Sequence, residues 1–380
     1  MTEIVLIGGG HAHLFVLEAF AKKPLAGVSV TLIAKEAFAP YSGMLPGRVS
    51  GQYPIDAGEI DLTRLADRAG ARLLHTTATM IDRSARTIVV DGGPPVPYDL
   101  LSLDLGIVPD VSAIDGAAEN GLIVKPISTF RQKLDDLLSG IADGRIRDLV
   151  VVGGGPAGFE LAHALMRRAK AASCGHEERR VTITLAAGRH LLSGLPERGR
   201  RLARRSLREA GIILIEGQRT SRIDPDAVVF DDGRTLAADG VLVSTAAAAP
   251  GLLRSSGLAV DDAGFLMVRP TLQASDDDRL FAAGDCVTLI GQERPKAGVF
   301  AVRQGPIIAE NLRRAVLGRP LRRYRAQNAY LMLLALANGE AIAARGGWAF
   351  QSRLAFWLKD WIDRGFVDRF HAPDKHGTAR

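Results

Sequence analysis

The sequence predicts an α/β chain of two Rossmann-like dinucleotide-binding domains followed by a helical C-terminal tail. Three observations predict it. Two glycine-rich turns each sit between a short apolar strand and a helical run, each helix is followed by another β-like run, and the second set lies about one domain length after the first.

In chain order, Glu3–Ile7 reads as an apolar strand entering Gly8-Gly9-Gly10, after which Leu14, Leu17 and Phe20 recur at helical spacing and Val28–Ile33 forms the next strand. Asp148–Val152 repeats the pattern into Gly153-Gly154-Gly155-Pro156-Ala157-Gly158, followed by Leu161, Ala164 and Leu165 and then Val181–Leu185. Strand, glycine turn, helix, strand is the βαβ unit of a parallel sheet. Asp91-Gly92-Gly93 and Asp231-Asp232-Gly233 each separate two β-like runs and read as reversing turns. After Arg319-Pro320 the chain changes character to a helical, aromatic-containing tail. The implied boundaries are a discontinuous first domain, 1–120 with 250–318, an inserted second domain, 121–249, and a C-terminal region, 319–380.

Composition narrows the function. The 380 residues are 47% hydrophobic and 6% aromatic, with a net charge of +6, a globular profile that suits anionic cofactors or an anionic surface. Arg198, Arg200, Arg201, Arg204, Arg205 and Arg208 lack the interleaved aromatics that single-stranded nucleic acid requires, so they read as a solvated helix face and no nucleic-acid partner is expected. The two cysteines, Cys174 and Cys286, form no redox pair and point to a reduced, cytoplasmic chain. His11 and His13 diverge on a helix, and no metal site is expected.

A G-x-G-x-x-G turn works because its glycines permit the tight turn, the approach of a pyrophosphate and close helix–strand packing, while the helix N-terminus adds positive charge. Gly153, Gly155 and Gly158 complete the pattern; Gly8 and Gly10 begin it, but His13 stands at the third position. The carboxylate expected for the adenosine ribose is absent from both units. Lys35 stands after the first, and Arg189 after the second, where a cation favours a 2′-phosphate or is simply a surface residue.

With these motifs, Leu280-Phe281-Ala282-Ala283-Gly284-Asp285 resembles the second FAD fingerprint of the pyridine nucleotide-disulphide oxidoreductase superfamily, across nearly the whole chain. Pro40–Gly47 stands where disulfide reductases carry redox cysteines and is similar to the apolar segment of type II NADH dehydrogenases. Tyr98–Gly106 resembles the family's usual "YDxLxxATG" strand with Ala-Thr replaced, and Ser244-Thr245-Ala246 departs from the usual Ala-Thr-Gly. Gly8–His13, Tyr41–Gly47, Lys296–Gln304 and Lys359–Asp363 together resemble the flavoprotein module found fused to selenophosphate synthetase.

The resemblance implies FAD held by Gly8, Gly10, Lys35, Ala78, Gly106, Gly284, Asp285 and Val299, with Asp285 bonding the ribityl chain, and NAD(P)H held by Gly153, Gly155, Gly158 and Arg189. It implies Glu160 near the nicotinamide–flavin contact, Lys296 at the flavin pyrimidine edge and Gln304 at a quinone contact. Glu160 also reads as a dipole-stabilising acid in a first helical turn, and Gln304 as a satisfied core residue. The implied activity passes electrons from NAD(P)H through flavin to a quinone; a soluble reductase of selenium or sulfur metabolism and a slow, nucleotide-responsive flavoprotein remain alternatives.

The tail from Gln351 to Phe370 predicts an amphipathic helix. Leu354, Leu358, Ile362, Phe366 and Phe370 lie on one face with Trp357 and Trp361 beside them, and Lys359, Asp360, Asp363 and Arg364 lie elsewhere. Such a face packs on the body, on a second copy in a homodimer, or in the interface of the cytoplasmic membrane face.

Overall fold

The computed structural model describes residues 1–124, 127–172, 181–245 and 247–371. Cys174 and Ala246 lie outside them.

The first glycine turn joins the strand Thr2–Ile7 to the helix His11–Lys22, and the returning strand Val28–Ile33 pairs parallel with the first from Thr2↔Val28 to Ile7↔Ile33. Among the described residues these strands belong to a sheet ordered Val287–Leu289, Leu266–Val268, Gln273–Ala274, Asp277–Ala282, Leu100–Leu103, Thr2–Ile7, Val28–Ile33, Arg72–Leu74. The late strand Asp277–Ala282 pairs parallel with Leu100–Leu103, so Asp285 is delivered beside the first glycine turn by a segment more than two hundred residues away. The second turn joins Asp148–Val152 to the helix Pro156–Ala172, in a wholly parallel sheet ordered Leu122–Ile123, Gly240–Val243, Asp148–Val152, Thr182–Ala186, Ile213–Ile215. Val108–Pro109 and Ala247–Ala248, which connect the two sheets, pair antiparallel with one another.

Both Asp/Gly turns reverse the chain. Thr87–Val90 returns to Val96–Pro97 and Ala227–Phe230 to Thr235–Ala237. Each apolar run after a turn breaks into two strands, because its first half completes a hairpin and its second enters a parallel sheet as Leu100–Leu103 or Gly240–Val243. The helix Glu197–Ala210 buries Ala203 and Leu207 and pairs arginines with Glu197, Glu209 and Glu216, in keeping with a solvated basic face.

The tail differs from the expected helical segment. Met332–Ala335, Ala341–Arg345 and Trp348–Ser352 form an antiparallel meander before the helix Arg353–His371. Alternation across Leu334, Ile342 and Ala349 buries one face of this meander in the core of the second domain. The helix instead lies on the first domain, where Val367 and Phe370 enter the core and the Arg369 guanidinium meets the Glu18 carboxylate at 2.7 Å.

Of the open alternatives for its apolar face, packing on the body holds only at the helix's end. Leu354, Trp357 and Trp361 are 69%, 61% and 72% exposed, and Leu358 and Ile362 are exposed as well, whereas Ala355, Lys359 and Asp363 are buried. Only Phe366 and Phe370 of the predicted apolar face turn inward, because the underlying surface offers polar partners: Tyr53 Oη donates to Asp360 at 2.6 Å and Tyr41 Oη to Asp363 at 3.0 Å. No described helix is long and apolar enough to cross a membrane.

Candidate active site between the two glycine turns

The first turn needs its glycines. Gly8 has φ +95°, and a Cβ there would strike the Asp104 carbonyl. His13, in place of a third glycine, is fully buried and pins the turn: its Nδ1 lies 2.6 Å from the Gly8 carbonyl and its Nε2 2.8 Å from Ser102 Oγ. Burial holds its pKa down at about 4 against the pull of the Gly8 carbonyl, so the ring is neutral. Nδ1 then carries the proton, since a carbonyl only accepts, and Nε2 accepts from the Ser102 hydroxyl.

A cavity of about 490 Å³ opens over this turn and is lined by Gly8, Gly10, Lys35, Ala78, Gly106 and Asp285. These are six of the predicted flavin residues, drawn from well-separated segments. Gly284 (φ +79°) makes the bend that presents Asp285, and its N–H donates to the buried Gln304 side chain at 2.7 Å. Gln304 thus props up the second fingerprint from the helix Gly298–Val316, on the face that also buries Ala301 and Ile308.

A second cavity, about 800 Å³, runs from Gly155 to His11, Gly298 and Val299. Glu160 and Lys296 face it together with a group whose convergence the sequence did not reveal: Tyr41, Lys359, Asp363 and Phe366. Tyr41 and Phe366 stack at 4.7 Å and His11 meets each ring edge-on at 5.4 Å. Lys359 Nζ lies 2.7 Å from Asp363 and donates to the Gly43 carbonyl at 2.8 Å. The Lys–Asp spacing of four was the available signal, but which side of the helix would be buried was not written in it.

Charges are balanced locally. Burial pushes the Glu160 carboxyl up to about 7, opposed by Lys359 and by the Ala335 N–H that donates to it at 2.8 Å, and reinforced by Asp363. Burial acts to lower Lys359, yet the Glu160 and Asp363 carboxylates outweigh it and its pKa is raised. Tyr41 is pushed up by burial and by Asp363 and stays a neutral donor. Lys296 Nζ donates to the Val287 carbonyl at 2.5 Å and lies 3.8 Å above the Phe265 ring; burial lowers its pKa.

In the second turn Gly153 has φ +132° and Gly158 is buried against the turn, where a Cβ would run into the Gly153 carbonyl. Arg189 is exposed just after the bend at Gly188 (φ +68°). Cys286 is buried with Sγ 3.2 Å from the Ala283 carbonyl.

Comparison with known proteins decides the family. The profile for the pyridine nucleotide-disulphide oxidoreductases matches residues 2–305. The chain belongs to that family. It is an NAD(P)H dehydrogenase-like oxidoreductase with FAD and NAD(P)H as its cofactors, and the two glycine cradles and the Asp285 carboxylate fit those groups. It is 24% identical over 294 residues to the NADH dehydrogenase-like protein YutJ of Bacillus subtilis, covering 76% of this chain and 78% of that protein. It is 26% identical over 279 residues to the type II NADH:quinone oxidoreductase of Haemophilus influenzae, covering 66% of this chain and 63% of that protein. Of solved folds, NDH2 from Plasmodium falciparum in complex with NADH superposes with a TM-score of 0.84 at 13% identity, over 97% of each chain. The sulfide:quinone oxidoreductase of Aquifex aeolicus superposes at 0.81 with 18% identity, over 98% of this chain and 93% of that one.

Proposed function

We propose that this oxidoreductase passes electrons from NAD(P)H to a quinone-type acceptor at a membrane surface. The observation that carries the reading is the cavity of about 800 Å³ between the two glycine turns, walled by apolar side chains such as Leu331, Leu333, Val299 and Val302 and faced by Glu160 and Lys359. FAD supplies the hydride acceptor and electron carrier of this chemistry.

The chain's own groups bind, orient and hold protons. Gly153, Gly155 and Gly158 receive the NAD(P)H pyrophosphate at the start of the helix Pro156–Ala172, and exposed Arg189 favours a 2′-phosphate. Gly8 and Gly10 receive the FAD pyrophosphate, Lys35, Ala78 and Gly106 line the same cavity, and Asp285 accepts from a ribityl hydroxyl. The N-terminus of the helix at Gly298-Val299, with Lys296 beside it, places positive potential at the flavin pyrimidine edge. Gln304 acts by positioning Gly284.

Quinone reduction consumes protons, and Glu160 exchanges one in the neutral range. Its pKa is raised from 4.5 to about 7, so the stability contributed by the protonated form is fully present below about 4.5 and is lost as pH rises to about 7, while the proton itself leaves the folded protein through about 7. Acceptor reduction is expected to fall over the same interval, and Glu160→Gln to remove that inflection from the pH–rate profile. An unchanged inflection in the variant excludes Glu160 as the proton source. For the activity itself, stopped-flow mixing with NADH and NADPH must bleach the flavin, and a quinone analogue must restore it; no bleaching by either nucleotide refutes the reading.

The exposed stripe Leu354, Trp357, Leu358, Trp361 and Ile362 is the proposed contact with a membrane interface, where tryptophan is favoured. The full chain is expected to float with liposomes, and Trp357→Ser/Trp361→Ser to stay unbound while keeping nucleotide-driven flavin bleaching. Equal flotation of the two proteins refutes the contact.

A further inference from the structure

Asp104 stands where the related strand usually carries alanine, and its carboxylate is built into the flavin cradle. Oδ2 accepts from Ala12 N at 2.7 Å and from His13 N at 3.2 Å, two of the N–H groups at the start of the helix His11–Lys22. The side chain is held between Gly10 and Gly284, each of which would clash with it on gaining a Cβ. It is 3% exposed and lines the same cavity as Gly8, Gly9 and Gly10. A carboxyl group of the protein's own therefore occupies the end of the helix whose partial positive charge would serve the cofactor pyrophosphate.

We propose that Asp104 is a positioning residue that couples FAD retention to proton uptake, FAD being held more tightly when Asp104 is protonated. An ionised Asp104 cancels the helix-terminal charge and adds a negative charge to a cavity that must accept a diphosphate. Protonation removes both effects while the side chain stays wedged between the two glycines. Burial, against the Ala12 and His13 N–H bonds and with Asp285 adding repulsion, raises the Asp104 pKa to about 7, so the coupling falls in the neutral range. The titratable groups packed against it are Asp285 and Cys286 at the Gly284 bend and His13 on the helix; burial raises Cys286 to about 12 and lowers His13 to about 4, and neither titrates near neutrality. On the side of the Gly284 bend it is flanked by Ala301 and Gln304 of the helix Gly298–Val316, and His11, Lys35 and Glu36 line the same cavity.

The test is FAD release from the holoprotein on dilution, read by recovery of free-flavin fluorescence at about pH 6 and about pH 8. The dissociation constant is expected to weaken about fivefold between them, the change that a coupling of one pKa unit produces over this interval. In Asp104→Asn, whose amide oxygen still accepts from the helix, the change is expected to shrink below about twofold, with tighter binding at the higher pH. Asp104→Ala serves if the asparagine variant misfolds, and calorimetry of wild type in buffers of different ionisation enthalpy reads the proton uptake without any substitution. A pH-independent constant in wild type, or a slope that survives in the variants and so belongs to another group, overturns the proposal. No FAD binding at either pH overturns the flavin assignment itself.

Discussion

Lys359→Met is expected to destabilise the holoprotein by about 3–5 kcal/mol, the range for removing one partner of a buried ion pair. The Lys359 and Asp363 side chains are 10% and 6% exposed, so water replaces little of the lost interaction. The substitution also frees the Gly43 carbonyl and removes the cation that opposes the burial of Glu160. Methionine keeps the length of the apolar stem, which separates loss of charge from loss of packing. Urea unfolding with saturating FAD measures the effect, and adding Asp363→Asn should recover part of it by removing the stranded charge. A loss below about 1 kcal/mol in Lys359→Met would show that this pair is not holding the C-terminal helix to the Tyr41–Gly43 segment. The same variant should raise the pH at which Glu160 releases its proton, because a nearby cation favours the charged carboxylate.

Gly158→Ala is expected to impair nucleotide binding by at least about tenfold in KM for NAD(P)H, with about 1–3 kcal/mol lost from the stability of the second domain by overpacking. The reason is steric: the added methyl would meet the Gly153 carbonyl, a backbone atom that cannot rotate aside, and so would push the helix Pro156–Ala172 off the turn. Gly153 is itself held at φ +132°, which leaves the turn little freedom to adjust. Flavin content should remain at the wild-type level, because the first cradle is built from other strands. Equal loss of flavin and nucleotide binding would mean that the two domains do not respond separately.

The glycine turns were legible because a turn is a local event. Gly8, Gly10, Gly153, Gly155 and Gly158 announce backbone conformations and close approaches that few other residues allow, and neighbouring apolar runs tell which elements they join. The Asp/Gly hairpins were legible for the same reason, although the runs after them proved to be two strands each. Asp285 was singled out by its local fingerprint, and the sheet pairing that delivers it beside the first turn could not be read there. The tail shows the limit. Periodicity located a helix that spans Arg353–His371 and its apolar stripe but left open which side would meet the body; Lys359 and Asp363 turn inward because the surface beneath offers Tyr41, Tyr53 and the Gly43 carbonyl. His13 read as a defect in a motif and is the pin that holds the turn.

By itself, then, the sequence determined the two dinucleotide-binding units, their order and the residues of their turns, all consequences of short-range backbone chemistry. Tertiary structure alone decided that Lys359 and Asp363 point inward to Glu160 and Tyr41, that Asp104 sits between Gly10 and Gly284, and that the tryptophans face outward. The inward contacts join residues from about ninety to more than three hundred positions apart, where burial and charge depend on what another segment presents and periodicity along one helix carries no record of its partner.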